Sequence, residues 1–171
     1  MIIRRAVPAD VEAIARVHIQ AWQESYRGLI PDAAINSHTL EQRLSRWTLT
    51  LQNPDILVYL PERDGAVCGF VSFGEARPGL AAEGEVYSFH LLQSIKRQGV
   101  GRALFTQLCN ELGGRGATSL GLWVLPENTP ARRFYEAMGG RLGESRLDRR
   151  GEFVFDEVAY IWDDLAPFAS G

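Results

Sequence analysis

Apolar positions recur at intervals of three and four residues along the first part of the chain, a spacing typical of helices. A short run, "IIRR", precedes them and predicts a first strand. Pro8 can open the helix that follows because its fixed φ suits the first turn, and the pattern continues to about Tyr26. Thr39 and Gln42 form a capping box that predicts the start of a second helix. The intervening "LIPDAAINS" is predicted to be a loop or a broken turn.

From residue 56 onward the pattern changes to β-branched and aromatic runs separated by polar turns. "ILVYLPERDGAVCGFVSFGEA" predicts two strands around Asp64 and Gly65, and "EVYSFHLL" predicts a third. A helix is predicted from Gly99 to about Leu112, then the strand "TSLGLWVLP" and a short helix that ends at Gly139. Two closing strands flank the polar turn "DRRG". This order predicts an α/β fold of the α+β type: a mixed sheet of about seven strands flanked by helices, with a β-α-β crossover.

Length, charge and cysteine content exclude several classes of protein. A chain of 171 residues with 46% hydrophobic residues predicts one domain, residues 1–171. A net charge of −3 argues against a nucleic-acid partner, which would require clustered Lys and Arg. Cys68 and Cys109 do not suggest a disulfide framework, and three scattered histidines do not suggest a metal site. With neither a signal peptide nor a run long enough for a bilayer, a cytoplasmic protein with no membrane partner is expected.

The segment "KRQGVGRALF" places Gly99 and Gly101 between an apolar strand and a helix. Unpaired amides and the dipole at a helix start favour anions. Three basic residues adjoin the glycines: Lys96, Arg97 and Arg102. A Walker loop is absent, and Leu104 stands where a dinucleotide fingerprint needs its third glycine. From these residues alone, an anion site and an ordinary strand-to-helix turn remain equal alternatives.

Two motifs in sequence order resemble a known family. "EVYSFHLLQSIKRQGVGRALF" resembles the central motif of the GCN5-related N-acetyltransferases (GNAT superfamily), whose [Q/R]-x-x-G-x-[G/A] segment binds the pyrophosphate of acetyl-CoA. Lys96 stands where the family usually has Gln or Arg. "WVLPENTPARRFYEAMGG" resembles the downstream N-x-x-A-x-x-F-Y-x-x-x-G-F motif, with Gly140 in place of the last Phe. "AWQESYRGLIPDAAI" resembles a bacterial subgroup, so the resemblance covers nearly the whole chain.

The resemblance implies a centrally splayed sheet and transfer of an acetyl group from acetyl-CoA, without a metal, to a primary amine of a small molecule. Acetylation of a protein or peptide amine, and a non-catalytic acyl-CoA-binding module, remain alternatives. Many family members form homodimers through the last strands, so a homodimer is also expected. The implied donor-binding residues are Leu91, Leu92, Gln93, Arg97, Gln98, Gly99, Val100, Gly101, Arg102, Ala103, Asn128, Ala131, Arg132, Phe134 and Tyr135.

Two residues are candidates for proton transfer. Tyr135 is the predicted general acid because a phenol O–H can donate to a departing thiolate. The alternative is a core aromatic, although Phe134 is the better core residue. Glu85 is the candidate base, at alternating positions with Tyr87 and Phe89 that share one face of the strand. The alternative for Glu85 is a solvated strand-start residue. Asn128 can act as a helix N-cap and also contact the donor.

The first helices are expected to form the acceptor wall. The predicted acceptor-binding residues are Trp22, Glu24, Tyr26 and Tyr87. Aromatic faces and a carboxylate would suit a cationic amine, although Trp22 could equally be a core residue. His90 is predicted to face away from Glu85 and to pack, and the resemblance assigns an oxyanion-hole role to the amide of Leu91.

Overall fold

In the computed structural model, which describes residues 1–168, eight strands form one sheet. The strands are β1 (Ile2–Arg5), β2 (Leu57–Arg63), β3 (Ala66–Val67), β4 (Gly69–Glu75), β5 (Gly84–Leu91), β6 (Leu120–Val124), β7 (Arg141–Arg150) and β8 (Phe153–Trp162). The helices are α1 (Val11–Tyr26), α2 (Asp32–Ile35), α3 (Leu40–Gln52), α4 (Val100–Gly114) and α5 (Thr129–Ala137). Single 3₁₀ turns lie at Pro8–Asp10, Gln93–Ile95 and Ala166–Phe168.

The strand order is β1-β2-β4-β5-β6-β8-β7, with β3 paired to β2. Neighbouring strands are antiparallel except β5 and β6, which are parallel and connected through α4. The predicted mixed sheet and crossover are therefore confirmed. The sheet has one strand more than expected because the chain leaves the ladder at Cys68, which separates the two-residue β3 from β4.

Two segments differ from the sequence-based expectation. The predicted loop contains α2, because the amides of Ala34 and Ile35 both bond back to the carbonyl of Pro31. The predicted turn "DRRG" is mostly strand, since β7 pairs with β8 as far as Arg150 opposite Phe153. The sharp reversal follows at Gly151, whose φ of 63° is easily adopted only by glycine.

Helices cover both faces of the sheet. On one face, α1 and α3 pack against the sheet through Ile14, Trp47 and Phe70, which belong to one buried cluster. On the other face, Leu104 and Leu108 of α4 join a larger cluster that also contains residues of α5 and β8. The capping box that predicts α3 is present, because the amide of residue 42 donates to the Thr39 hydroxyl.

A β-bulge at Tyr87 changes which residues of β5 share a face. The ladder pairs that define it are Ser72–Ser88 and Phe73–Val86. Because one extra residue is inserted, Glu85 lies on the same face as His90, opposite Gly74 and Phe70 of β4. The prediction that His90 faces away from Glu85 is therefore wrong, since regular alternation fails at the bulge.

Candidate active site

The parallel pair in the middle of the sheet opens after three residues. β5 and β6 pair only from Gly84–Leu120 to Val86–Leu122, and residues 87–91 of β5 continue away from β6. The amide of Leu92 donates to the carbonyl of Cys68, the residue that precedes β4. Because successive amides of a strand point in opposite directions, the amide of Leu91 points into the opening between β5 and β6.

The turn between β5 and α4 presents backbone amides. Arg97 and Gly99 both have left-handed φ angles, 64° and 81°. The first hydrogen bond of α4 runs from the amide of Ala103 to the Gly99 carbonyl, and no backbone acceptor within residues 1–168 takes the amides of residues 98–102. Successive amides at a helix start, with one or two left-handed residues, form an anion-binding concavity.

The two glycines of this turn serve different purposes. A Cβ at Gly101 would lie 3.3 Å from the ring of Phe134 and 3.6 Å from the side chain of Leu91, so its hydrogen permits close approach. A Cβ at Gly99 would meet nothing within 4 Å, and the requirement there is the positive φ. The absence of a side chain at Gly101 therefore lets α4 lie close to α5 beside the opening of the sheet.

The side chains of the turn differ in whether they form hydrogen bonds within the protein. Gln98 donates to the Ser94 carbonyl at 2.8 Å and accepts from Arg63. Arg97 and Arg102 are exposed next to the backbone amides. The structure therefore assigns Gln98 to shaping the turn and leaves the charges of Arg97 and Arg102 beside the anion-binding concavity.

The end of α1 is attached to the same turn. The Glu24 carboxylate accepts from the amide of Gln93 at 2.7 Å and from the Gln20 amide group at 2.9 Å. Lys96 lies with its Nζ 3.4 Å from the Ser25 hydroxyl. The carboxylate of Glu24 therefore attaches α1 to the turn, and its contribution to an acceptor wall stays a prediction.

The start of α5 matches the prediction for Asn128. Its Oδ1 accepts from the amide of Ala131 at 3.3 Å, so Asn128 is the N-cap. Arg132 is bound by its own surroundings, donating to Tyr160 at 3.1 Å and to the Pro126 carbonyl at 3.0 Å. The guanidinium of Arg132 therefore fixes α5 to β8 rather than extending towards the donor turn.

Tyr135 lies at the junction of α5 and β8. It is 7% exposed, and its ring packs against Phe134, Tyr160 and Trp162. The expectation that Phe134 is the more buried of the two is wrong, since Phe134 is half-buried beside the glycine turn. Burial, with a contribution from Tyr26, raises the pKa of Tyr135, so its phenol stays protonated at neutral pH.

Glu85 is enclosed at the closed end of the opening. It is 0% exposed, and its carboxylate accepts from the Arg77 amide at 2.9 Å and from both Nε and Nη2 of the Arg77 side chain. Tyr87 lies beside the same guanidinium, 5.0 Å from its ring centroid, and donates to the Glu75 carbonyl. These partners contradict the picture of a solvated Glu85 and place Tyr87 at the bulge.

Replacing Glu85 with Gln tests whether this residue is a base or a structural partner of Arg77. We expect E85Q to lower the free energy of unfolding by about 1–3 kcal/mol, because a buried charge-assisted bond is lost. The pH profile of kcat/KM should keep its acidic limb. Urea denaturation and a pH–rate profile measure the two effects, with the exposed Glu12→Gln as the control for charge removal.

Loss of the acidic limb in E85Q, with unfolding unchanged, would instead establish proton acceptance by Glu85.

An aromatic wall, formed by Trp22, Tyr26 and His90, lies on the α1 side. The Trp22 ring is 4.3 Å from Tyr26 and 6.0 Å from His90. Burial, with neighbouring cations, lowers the pKa of His90 to about 3, so its imidazole is neutral and weakly basic. His18 lies behind this wall and accepts from Trp47 at 3.1 Å, as a satisfied core residue.

The family model described as "Acetyltransferase (GNAT) family" matches residues 17–140. The chain belongs to this family. It is 32% identical over 166 residues to the uncharacterized N-acetyltransferase YuaI of Bacillus subtilis, covering 96% of this chain and 94% of that protein. The resemblance found in the two sequence motifs is thereby confirmed, and the chain is an N-acetyltransferase of the GNAT family.

Solved structures of GNAT proteins share the fold. The PaiA N-acetyltransferase of Thermoplasma acidophilum, in complex with coenzyme A, aligns with a TM-score of 0.71 at 21% identity, over 92% of this chain and 96% of that chain. The protein yncA of Salmonella typhimurium, solved with its cofactor acetyl-CoA, aligns with a TM-score of 0.72 at 21% identity. This alignment covers 100% of this chain and 97% of the yncA chain. The predicted GNAT fold is confirmed.

Gly140, the departure from the second GNAT motif, has a local explanation. A Cβ at this position would lie 2.7 Å from the Trp162 ring and 3.0 Å from the Tyr135 carbonyl. Trp162 itself donates to the Met138 carbonyl at 2.9 Å. In this GNAT protein the Trp162 ring therefore fills the space beside residue 140.

Sequence reasoning missed two arginines at the aromatic wall. Arg43 lies 5.7 Å from the Trp22 ring centroid and Arg150 lies 5.8 Å from it. A signal for Arg43 was present, since it follows Leu40 by three residues and precedes Trp47 by four, on the apolar face of α3. Arg150 carried no comparable signal because it reaches the wall through the fold of the last hairpin.

None of the helices within residues 1–168 combines the length and the apolar content needed to cross a bilayer. No group of three or more His, Cys, Asp and Glu residues in the same range could hold a metal ion.

Proposed function

We propose that this GNAT protein transfers the acetyl group of acetyl-CoA to a primary amine of a small molecule. The observation that carries the proposal is the opening between β5 and β6 directly beside the glycine turn. A pantetheine arm carries amide groups that need backbone partners, and a pyrophosphate needs amides and positive charge. The chain offers both over one continuous surface.

The donor would be held by the turn and by the end of β5. The unpaired amides of residues 98–102 suit the pyrophosphate, supported by the charges of Arg97 and Arg102. Residues 87–91 offer backbone groups to the pantetheine arm. The other donor-binding residues in the proposal are Leu92, Gln93, Val100, Gly101, Ala103, Asn128, Ala131 and Phe134.

The chemistry assigns Tyr135 and Leu91 distinct tasks. The acceptor nitrogen attacks the thioester carbonyl carbon, a C–N bond forms, and the C–S bond breaks. The Leu91 amide would donate to the developing oxyanion. Tyr135 would donate its O–H to the departing sulfur, and the proton lost by the amine nitrogen balances the one that sulfur gains. Because Arg77 holds Glu85, we assign deprotonation of the amine to solvent water.

The enclosure of the aromatic wall supports a small acceptor over a peptide. Trp22 lies in a buried cluster with Ile30 and Leu125, against which Phe153 and Phe155 of the last hairpin pack. The hairpin packs over one side of the wall, and this cover supports a small acceptor.

The activity is tested by thiol release from acetyl-CoA with a panel of small primary amines and peptides. Amine-dependent release with small amines, above that with peptides, supports the proposal. Binding of acetyl-CoA without release for any acceptor would contradict both enzyme hypotheses and favour a binding module.

Two further expectations remain predictions. A homodimer through the last strands is supported by exposed apolar side chains there, Leu147 and Val154, and sedimentation measures it. A cytoplasmic location is supported by Cys68 and Cys109, which are both free thiols, as a reducing compartment would keep them.

A further inference from the structure

Two buried polar atoms at the aromatic wall have no hydrogen-bond partner. Within residues 1–168 they are the only such side-chain atoms: Nε1 of Trp22 and Nε of Arg43. The two side chains are neighbours, with the guanidinium 5.7 Å from the indole centroid. A buried donor without an acceptor costs about 1–3 kcal/mol, so two adjacent ones call for a common explanation. Both are N–H donors, and both lack a hydrogen-bond acceptor.

The charge of Arg43 is uncompensated. Arg43 is 6% exposed and forms no ion pair with any residue in the range 1–168. Desolvation lowers its pKa to about 10, so the guanidinium still carries its charge at neutral pH. A buried charge without a counter-ion is costly, which makes an anionic partner favourable.

The carboxylates of the last hairpin and of the end of α1 are already used by other groups. Asp148 and Glu157 both accept from Arg150, and Glu157 also accepts from Arg146. Glu24 caps the turn after β5. The positive charge at the wall therefore belongs to Arg43, while that of Arg150 is balanced within the hairpin.

The location fits the acceptor rather than the donor. Trp22 contacts His90, and the charge of Arg43 contributes, after burial, to the lowered pKa of His90. His90 directly precedes Leu91, whose amide points into the opening between β5 and β6. Arg43 and His38 also line an open surface depression of about 580 Å³ along α3.

We infer that the acceptor amine carries a carboxylate, which the adjacent N–H donors of Arg43 and Trp22 bind. This inference rests on the proposed function and names its substrate class: amino acids and related carboxylate-bearing primary amines. A carboxylate has two oxygens and matches a guanidinium and an indole N–H in charge and in number of acceptors. An acceptor with a carboxylate replaces the cationic amine that the sequence suggested as the acceptor. A cationic amine would need the carboxylate of Glu24, and that carboxylate caps the turn.

The test compares free amino acids with their carboxamides, in which an uncharged NH2 donor replaces the negatively charged acceptor oxygen. Thiol release with acetyl-CoA gives kcat/KM for each pair whose amino group is a primary amine. We expect the best free amino acid to exceed its carboxamide by about 100-fold. Arg43→Gln should remove that preference, lowering kcat/KM for the carboxylate about 100-fold with little change for the carboxamide. The matched control, Arg16→Gln, removes an exposed charge from α1 and should retain the preference.

Arg43→Lys provides a second variant that keeps the charge, and it should retain part of the preference while losing the fork geometry. Thermal unfolding and acetyl-CoA affinity establish that each variant is folded. Equal use of amino acids and carboxamides by the wild type would overturn the inference, as would a loss in Arg43→Gln that is equal for both acceptors.

A binding measurement separates this inference from the proposed activity. Calorimetry with CoA and each N-acetylated amino acid, against its N-acetylated carboxamide, requires no turnover. Tighter binding of a carboxylate form that Arg43→Gln abolishes supports the inference even if no acceptor is turned over. Equal affinities overturn it, and absence of thiol release with every amine contradicts only the proposed function.

Discussion

Tyr135→Phe is expected to lower kcat by about 100- to 1000-fold while the affinity for acetyl-CoA stays nearly constant. The phenol is buried against Phe134, Tyr160 and Trp162, so removing its oxygen leaves the ring packing in place. What is lost is the O–H that stabilises negative charge on the departing sulfur. Steady-state thiol release measures kcat, and calorimetry measures the donor affinity.

Tyr59→Phe makes the same chemical change away from the opening of the sheet, where the phenol donates to Glu111 at 2.6 Å. It should leave kcat unchanged. Burial raises the pKa of Tyr135, so its acid form persists at all lower pH values, and Tyr135 can contribute only to the loss of activity on the basic side of the pH profile. An unchanged kcat in Tyr135→Phe would remove the general-acid assignment.

Gly101→Val is expected to weaken acetyl-CoA binding by about 100-fold and to lower the melting temperature. Its Cβ would approach the Phe134 ring to 3.3 Å, and the additional methyl groups would move the start of α4 away from α5. The amides at residues 98–102 would then no longer converge on one phosphate position. Calorimetry with acetyl-CoA and a thermal melt measure the two effects.

Gly113→Ala is the matched control on the same helix. A Cβ there meets nothing within 4 Å, and alanine favours a helix by about 0.5–1 kcal/mol relative to glycine. This variant should therefore bind acetyl-CoA normally and unfold at the same or a higher temperature. Normal donor binding in Gly101→Val would show that the turn does not hold the pyrophosphate.

The elements of this fold were predictable because their signals are local. Helix spacing and the Thr39 capping box predict α1 and α3, and the turn at Asp64 and Gly65 has the positive φ angles that the pattern requires. The end of β7 was not predictable, since a polar strand at the margin of a sheet has no apolar alternation. Its pairing is instead supported by the ion pair between Arg150 and Glu157.

Residue roles in the candidate site were predictable from the sequence where they depend on backbone conformation. They were less predictable where they depend on the hydrogen-bond partners of a side chain. Gly99 and Asn128 have the positive φ and the cap that their motifs suggest. Glu85 and Glu24 were assigned by residue type, yet each carboxylate is held by a group whose proximity only the fold creates. The bulge at Tyr87 also has no periodic signature, so the facing of Glu85 could not be derived from alternation.

Because of the opening between β5 and β6, a bound donor would pair with the free edge of β5 as an added strand does. Residues 87–91 constitute a sheet edge inside the protein, short and flanked by helices, which protects it from pairing with another chain. With acetyl-CoA as the donor, the pantetheine amides would complete that edge as a peptide does in β-augmentation. By linkage, a donor at 100 times its Kd would add about 2.7 kcal/mol to the free energy of unfolding. The concentration of acetyl-CoA would then raise the equilibrium stability of the folded protein as well as its rate of turnover.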